Sequence, residues 1–140
     1  MADINKDIRA ALETHLAGTA SIPDIAYENV PYEPTTGTSF IKVAYIPTLR
    51  RPAVRGTNPQ QLYQGIFSLN VYSPEGAGPG AAEGVVEKLL ERFEATTDIS
   101  YTNGEAETIF VSIDYAERSL SFTDAPWYLI PVNIGWYIYK

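Results

Sequence analysis

The sequence has no cysteine and a single histidine, His15, in 140 residues. Without thiols there can be no disulfide, no cysteine nucleophile, no iron–sulfur cluster and no cysteine-based zinc site, and one imidazole cannot build a multi-histidine metal site within a chain. Positive charge is scarce as well, with ten Lys plus Arg against seventeen Asp plus Glu and a formal charge of −7. Such a surface repels nucleic acid and anionic membranes, so no sequence-specific nucleic-acid binding is expected. No window approaches the roughly 18 to 20 apolar residues of a membrane span, and Met1 to Asp7 carries no apolar run. These absences lead us to expect a soluble protein made in the cytoplasm, with no membrane partner.

What is present fits one globular domain over residues 1–140, because 45% hydrophobic and 12% aromatic content is enough to fill a single core. Ile4, Ile8, Ala11, Leu12 and Leu16 recur at helical spacing, with Asp3 as an N-cap and Gly18 as a stop, so a helix is predicted over Ile4 to Ala17. His15 falls near its C-terminus, where an imidazole is favoured by the helix dipole and needs no catalytic account. A short edge strand is expected around Ile25 to Glu28, a clearer strand over Ser39 to Ile46 ended by Pro47, and a half-buried strand over Tyr63 to Tyr72. Between the last two lies an irregular stretch, Thr48 to Gln61. A glycine-rich turn then leads to a second helix carrying Ala82, Val85, Val86, Leu89, Leu90 and Phe93 on its apolar stripe.

Strands are further predicted over Glu107 to Asp114, Ser119 to Phe122 and Trp127 to Tyr139, the last with Pro131 demanding an edge position or a bulge. Short connections favour antiparallel neighbours. The fold class expected is α+β, a mainly antiparallel sheet with two helices packed on one face and a long loop between two central strands.

Chemistry is hard to find in this pattern, and no catalytic residue, cofactor site or metal site is assigned. A Ser-His-acid triad has only His15 as a base, and nothing resembles a nucleophile elbow. Carboxylate pairs such as Glu105 with Glu107, or Asp114 with Glu117, are the spacing any acidic surface supplies. The run Gly76-Ala77-Gly78-Pro79-Gly80 is neither a dinucleotide fingerprint nor a Walker loop, and no Lys follows it. The acidic row on the second helix is spread along a helix rather than converging from a turn, as a calcium site requires.

One charge feature breaks the background: Arg50, Arg51 and Arg55, half of the arginines, fall in the irregular stretch. A long loop in a small domain is commonly functional, and arginine pairs well with carboxylates at interfaces. Ten tyrosines are also many for this length, several on predicted strands, where they bring contact area with a polar tip. The chain looks built to bind protein.

The run Tyr27-Glu28-Asn29-Val30-Pro31-Tyr32-Glu33-Pro34, the strand ending Ile46-Pro47, the stretch Gln64-Gly65-Ile66-Phe67-Ser68-Leu69-Asn70-Val71-Tyr72, Gly76-Ala77-Gly78 and the helix ending in Phe93 occur in a telling order. That order resembles the tail terminator proteins of long-tailed, lambda-like bacteriophages, also called tail completion or minor tail proteins. It covers Ile25 through Phe93, with weaker support from Trp127 to Tyr139. Members often carry Trp before the Asn-x-Pro element, where this chain has Tyr27. The resemblance implies a structural virion protein, assembled in the host cytoplasm. It further implies a homo-oligomer, usually a hexameric ring, that caps the head-proximal end of the tail tube, stops polymerisation and joins the head.

The partners so implied are further copies of the chain, the major tail tube protein and a head-completion or neck protein. A closed ring needs two different, complementary patches on one chain. Arg50, Arg51 and Arg55 on one side and Glu83, Glu87 and Glu91 on the acidic helix face on the other are the candidate subunit or tube interface residues. A neck or head–tail connector of the same particle is the alternative reading, and a small hydrolase or ligand-binding domain a weaker one.

Overall fold

The structure is a computed structural model that describes residues 4–34, 37–56, 59–76 and 78–140. Its elements are α1 (Ile4–Ala17), β1 (Asp24–Ala26), β2 (Phe40–Pro52), β3 (Gln61–Pro74), α2 (Gly80–Arg92), β4 (Asp98–Thr102), β5 (Thr108–Arg118), β6 (Phe122–Asp124) and β7 (Trp127–Tyr139). The strands form one sheet in the order β1-β2-β3-β7-β5-β4, with β6 also on β7. Only β1 on β2 is parallel; every other pairing is antiparallel. The α+β class expected from the sequence is therefore the one observed.

Alternation decides the core. Ile41, Val43 and Tyr45 of β2, Phe67, Leu69 and Val71 of β3, and Ile130, Val132, Ile134, Trp136 and Ile138 of β7 are all buried. Ile8, Leu12 and Leu16 of α1 and Ala82, Val86 and Leu89 of α2 join the same cluster. Their helical spacing gives each helix one apolar stripe, and burial of such stripes supplies most of the stability of helices this short. α1 meets β4 and β5, while α2 meets β3, β5 and β7. The expected N-cap of α1, Asp3, lies outside the described residues.

Three differences from the sequence reading have physical causes. Pro47 does not end β2; the strand bulges between Pro47 and Leu49 and continues to Pro52, paired with β3 as far as Gln61. A proline without an N–H is tolerated there because β1 covers only Phe40 to Lys42, leaving β2 an edge strand at that point. The expected irregular stretch from Thr48 thus shortens to the turn after Pro52, and the two strands it joins are not both central. Second, β4 was not anticipated. Third, Pro131 sits on β7, an interior strand, yet at the gap where β6 pairing stops at Leu129 and β5 pairing starts at Val132. Its carbonyl accepts the Ser119 N–H at 2.9 Å, so the missing donor falls where no ladder bond is needed.

Gly65 on β3 makes this corner of the sheet fit. A Cβ there would run into the Ile46 carbonyl oxygen and lie 2.7 Å from Trp136 Cζ2. Its absence lets the Trp136 ring cross β3 and stack on Tyr45, with centroids 5.4 Å apart and planes 9° from parallel.

Candidate assembly surface

The bulged continuation of β2 and its partner β3 form an arm, and the arginines mark it. Arg50 and Arg51 stand on β2 and Arg55 in the turn beyond it, all exposed. Strand alternation separates the first two: Arg50 is in register with Tyr63 and Ile138, Arg51 with Leu62 and Tyr139, so they project to opposite sides. The arginine cluster of the sequence is therefore not one patch. The Arg50 guanidinium carbon lies 5.5 Å from the centre of the ring of Tyr63, its cross-strand partner, a cation–π arrangement. Among the described residues none of the three arginines forms an ion pair within the chain.

Glu83, Glu87 and Glu91 repeat every four residues along α2 and form one exposed row. Glu83 lies 4.0 Å from Arg118, whereas Glu87 and Glu91 have no ion pair among the described residues. Among the described residues no ion pair joins this row to Arg50, Arg51 or Arg55.

A pocket of about 260 Å³ opens where the arm meets the start of α1, lined among others by Asn5, Thr48, Arg50, Tyr63 and Trp136. Trp136 is 1% exposed, and its indole Nε1 has no hydrogen-bond partner among the described residues. An unpaired buried donor of this kind is uncommon in folded proteins.

At the opposite end of the strands Phe40 stacks on Tyr72 at 4.5 Å and meets Tyr32 at 5.2 Å and Trp127 at 5.1 Å. Tyr27, Val30, Tyr32, Phe40 and Tyr72 line an open groove of about 790 Å³ beside this cluster. The segment carrying that groove is latched to α1. Arg9 pairs with Glu28 at 2.9 Å and lies 4.8 Å above the Tyr45 ring. The Glu28 carboxylate also accepts the Tyr45 N–H, and Tyr45 Oη donates to Asn5 Oδ1 at 2.9 Å. Beside the latch, burial pushes the Glu13 carboxyl above its ordinary range, the Arg9 charge opposes this, and Glu28 adds to it.

None of this geometry assembles a nucleophile with a base. His15 Nε2 donates to the Arg92 carbonyl at 2.9 Å and its ring packs edge-on against Phe93, with burial holding its pKa below 6.5. No group of three or more His, Asp or Glu gathers to hold a metal ion among the described residues.

Comparison with known families then decides the matter, because a family model described as Phage tail terminator protein matches residues 7–136. The chain belongs to the phage tail terminator family. As a tail terminator it is a structural component of the virion that interacts with other head or tail proteins of the phage. A solved structure that carries no functional name is 23% identical to it, covers 96% of this chain and 94% of that one, and superposes with a TM-score of 0.67. That likeness is one of fold. Among curated proteins none matches. No helix of the described residues is long and apolar enough to cross a membrane.

Several residues that shape this tail terminator's surface were missed in the sequence. The Arg9–Glu28 latch joins positions 19 apart with no motif between them. Trp136 reads as an inward strand residue, which it is, and alternation says nothing about whether its N–H finds a partner. The run Tyr27 to Pro34 carried a signal, its prolines and aromatics, and it forms the wall of the open groove.

Proposed function

We propose that this tail terminator forms a ring of six copies that caps the head-proximal end of the tail tube, stops tube polymerisation and presents the surface to which the neck or head-completion protein joins. The observation that carries the reading is the family match across residues 7–136. The chain acts as one domain, its helices on one face of the sheet and its other face turned to a neighbour. Catalysis, cofactors and metals have no part in this reading.

A cyclic ring requires that one patch meet a different patch on the next copy. The exposed arginines of the arm and the exposed acidic row of α2 are of opposite charge and unpaired with each other among the described residues, which supports Arg50, Arg51 and Arg55 serving as boundary residues toward acidic surfaces such as Glu83, Glu87 and Glu91, with Arg50 and Arg51, on opposite sides of the arm, meeting different surfaces. Termination follows from geometry: the tube-side face repeats one layer's contacts, and the far face lacks the surface on which another layer could add. Equivalent weak contacts summed around the ring give firm attachment.

Native mass spectrometry tests the ring. Six copies of the 15.5 kDa chain weigh about 93 kDa. A discrete species of that mass, alone or on added tail tubes, is the expected result. A chain that stays monomeric in both settings rejects the proposal.

A further inference from the structure

We infer that the aromatic groove beside β1 receives the tip of the arm of a second copy of this chain, with Pro52 and Val54 against its aromatic wall and Arg55 at its acidic rim. The inference deepens the ring reading above and rests on it. The groove suits an extended, proline-containing segment. Tyr27, Tyr32, Phe40 and Tyr72 line it, and Phe40 is held between Tyr72, stacked at 4.5 Å, and Tyr32 at 5.2 Å. Aromatic faces of this kind take proline rings, whose fixed φ leaves little freedom to lose on docking. Pro31 and Pro34 stiffen the outer wall, and the Arg9–Glu28 ion pair ties that wall to α1, so the groove is formed in the single chain. Its volume of about 790 Å³ has room for several side chains, and Val30 on its wall is left 57% exposed.

The arm tip carries the matching chemistry. Val54 is 63% exposed there, close to an exposed Pro52. The stretch Ile46 to Pro74 holds three arginines and no acid, whereas Ser21 to Pro34, which walls the groove, holds Asp24, Glu28 and Glu33 and no base. Glu28 is taken by Arg9, while Glu33 has no ion pair among the described residues. Burial raises the pKa of Tyr32 and Tyr72, and the charges of Asp24 and Asp124 respectively add to it, which brings two more carboxylates to the rim. Lys42 is the one base among the lining residues. Charge and apolar shape are thus both complementary between tip and groove.

The tip that fills the groove has to come from another copy. The groove borders the first residues of β2 and the tip follows its last, and a strand of 13 residues spans about 40 Å. Pairing with β3 from Phe40 to Pro52 and the Ala53 N–H donated to the Gln60 carbonyl at 2.7 Å hold this hairpin extended, so the tip does not reach its own groove. Tip and groove are different patches at opposite ends of one hairpin. Contact between them is heterologous, and it closes into a ring when the rotation allows.

Because the chain has no cysteine, single substitutions give clean cross-linking handles. Chains carrying Val30→Cys, mixed with chains carrying Val54→Cys and treated with a short bis-maleimide, should give a linked pair containing one of each. A chain carrying both substitutions should give a ladder that ends at six copies, about 93 kDa. Val54→Asp, at an exposed position that leaves the core untouched, should raise the concentration for half-assembly about tenfold, as should Glu33→Arg and Arg55→Glu alone. Glu33→Arg combined with Arg55→Glu should restore the parent value. Tyr32→Ala should weaken assembly too, and adding Val54→Ala to it should cost less than the two separate effects together, because both remove one contact. A ring that forms with no link between positions 30 and 54, and that Val54→Asp and Glu33→Arg leave unchanged, overturns the docking and leaves the ring reading standing. Linking that runs on as an open ladder with no discrete 93 kDa species keeps the docking and overturns the ring. A Val30→Cys chain that links to added tail tubes and never to a Val54→Cys chain overturns the second copy as occupant.

Discussion

Glu13 is held in an unfavourable place for a charge. Its Oε2 is buried without a hydrogen-bond partner, and burial raises its pKa from the ordinary 4.5, against the pull of Arg9 and with the push of Glu28. A carboxyl whose folded pKa lies above its unfolded value favours the fold fully below pH 4.5 and loses that contribution as pH rises through the folded value. At neutral pH the ionised group is therefore a burden that a neutral isostere removes. Glu13→Gln should raise the melting temperature at pH 7, and the gap over the parent should close as pH is lowered past 4.5. Thermal unfolding across pH 3.5 to about 8 reads this directly. An equal melting temperature at every pH would show that Arg9 already compensates the charge.

Among the elements, the docking of α1 on the β4–β5 hairpin turns on one side chain. Asn103 donates through Nδ2 to Asp7 Oδ2 at 2.9 Å, while its Oδ1 accepts the N–H groups of Glu105 at 2.9 Å and Glu107 at 3.0 Å. Asp7 is only 7% exposed, so removing its donor strands a buried carboxylate. Asn103→Ala should destabilise by about 2 kcal/mol in urea unfolding, the sum of a lost turn and an orphaned acceptor, with no change in the slope. A loss below about 0.5 kcal/mol would mean that water replaces the amide.

Elements were legible where periodicity ran long. α1, β7 and the inner stretch of β3 carry alternation or helical spacing over many residues, and the predicted limits of α1 and β7 are those observed. β4 was not legible because five residues, Asp98 to Thr102, with one buried, give no period; partnership with β5 makes it a strand. β2 was cut short because Pro47 reads as a stop unless the strand is known to lie at an edge, and sheet order is a tertiary fact. The arginine cluster was visible as composition. That Arg50 and Arg51 face opposite ways depended on their being strand and not loop, and that Arg50 and Trp136 line one pocket depended on α1 closing it.

For the whole molecule, two electrostatic effects compete in assembly. Each copy carries −7, so bringing copies together meets long-range repulsion, while opposed arginines and carboxylates attract at short range. Salt separates them: at about 0.1 M the screening length is about 10 Å, which suppresses repulsion between distant charges far more than a contact pair that excludes water. Reversing Arg50, Arg51 and Arg55 to Glu takes the net charge from −7 by −6 to −13, and reversing Lys6, Lys42 and Lys88 does the same at sites outside the arm. If ring closure depends on the arm, the lysine variant should regain its ring mass at about 0.5 M salt while the arginine variant stays monomeric, because only the second has lost contacts that screening cannot restore. Ring mass at low and high salt, with tail joining scored in parallel, decides it. Recovery of both variants at high salt would show that the arginines act through bulk charge and hold no place at the boundary between copies.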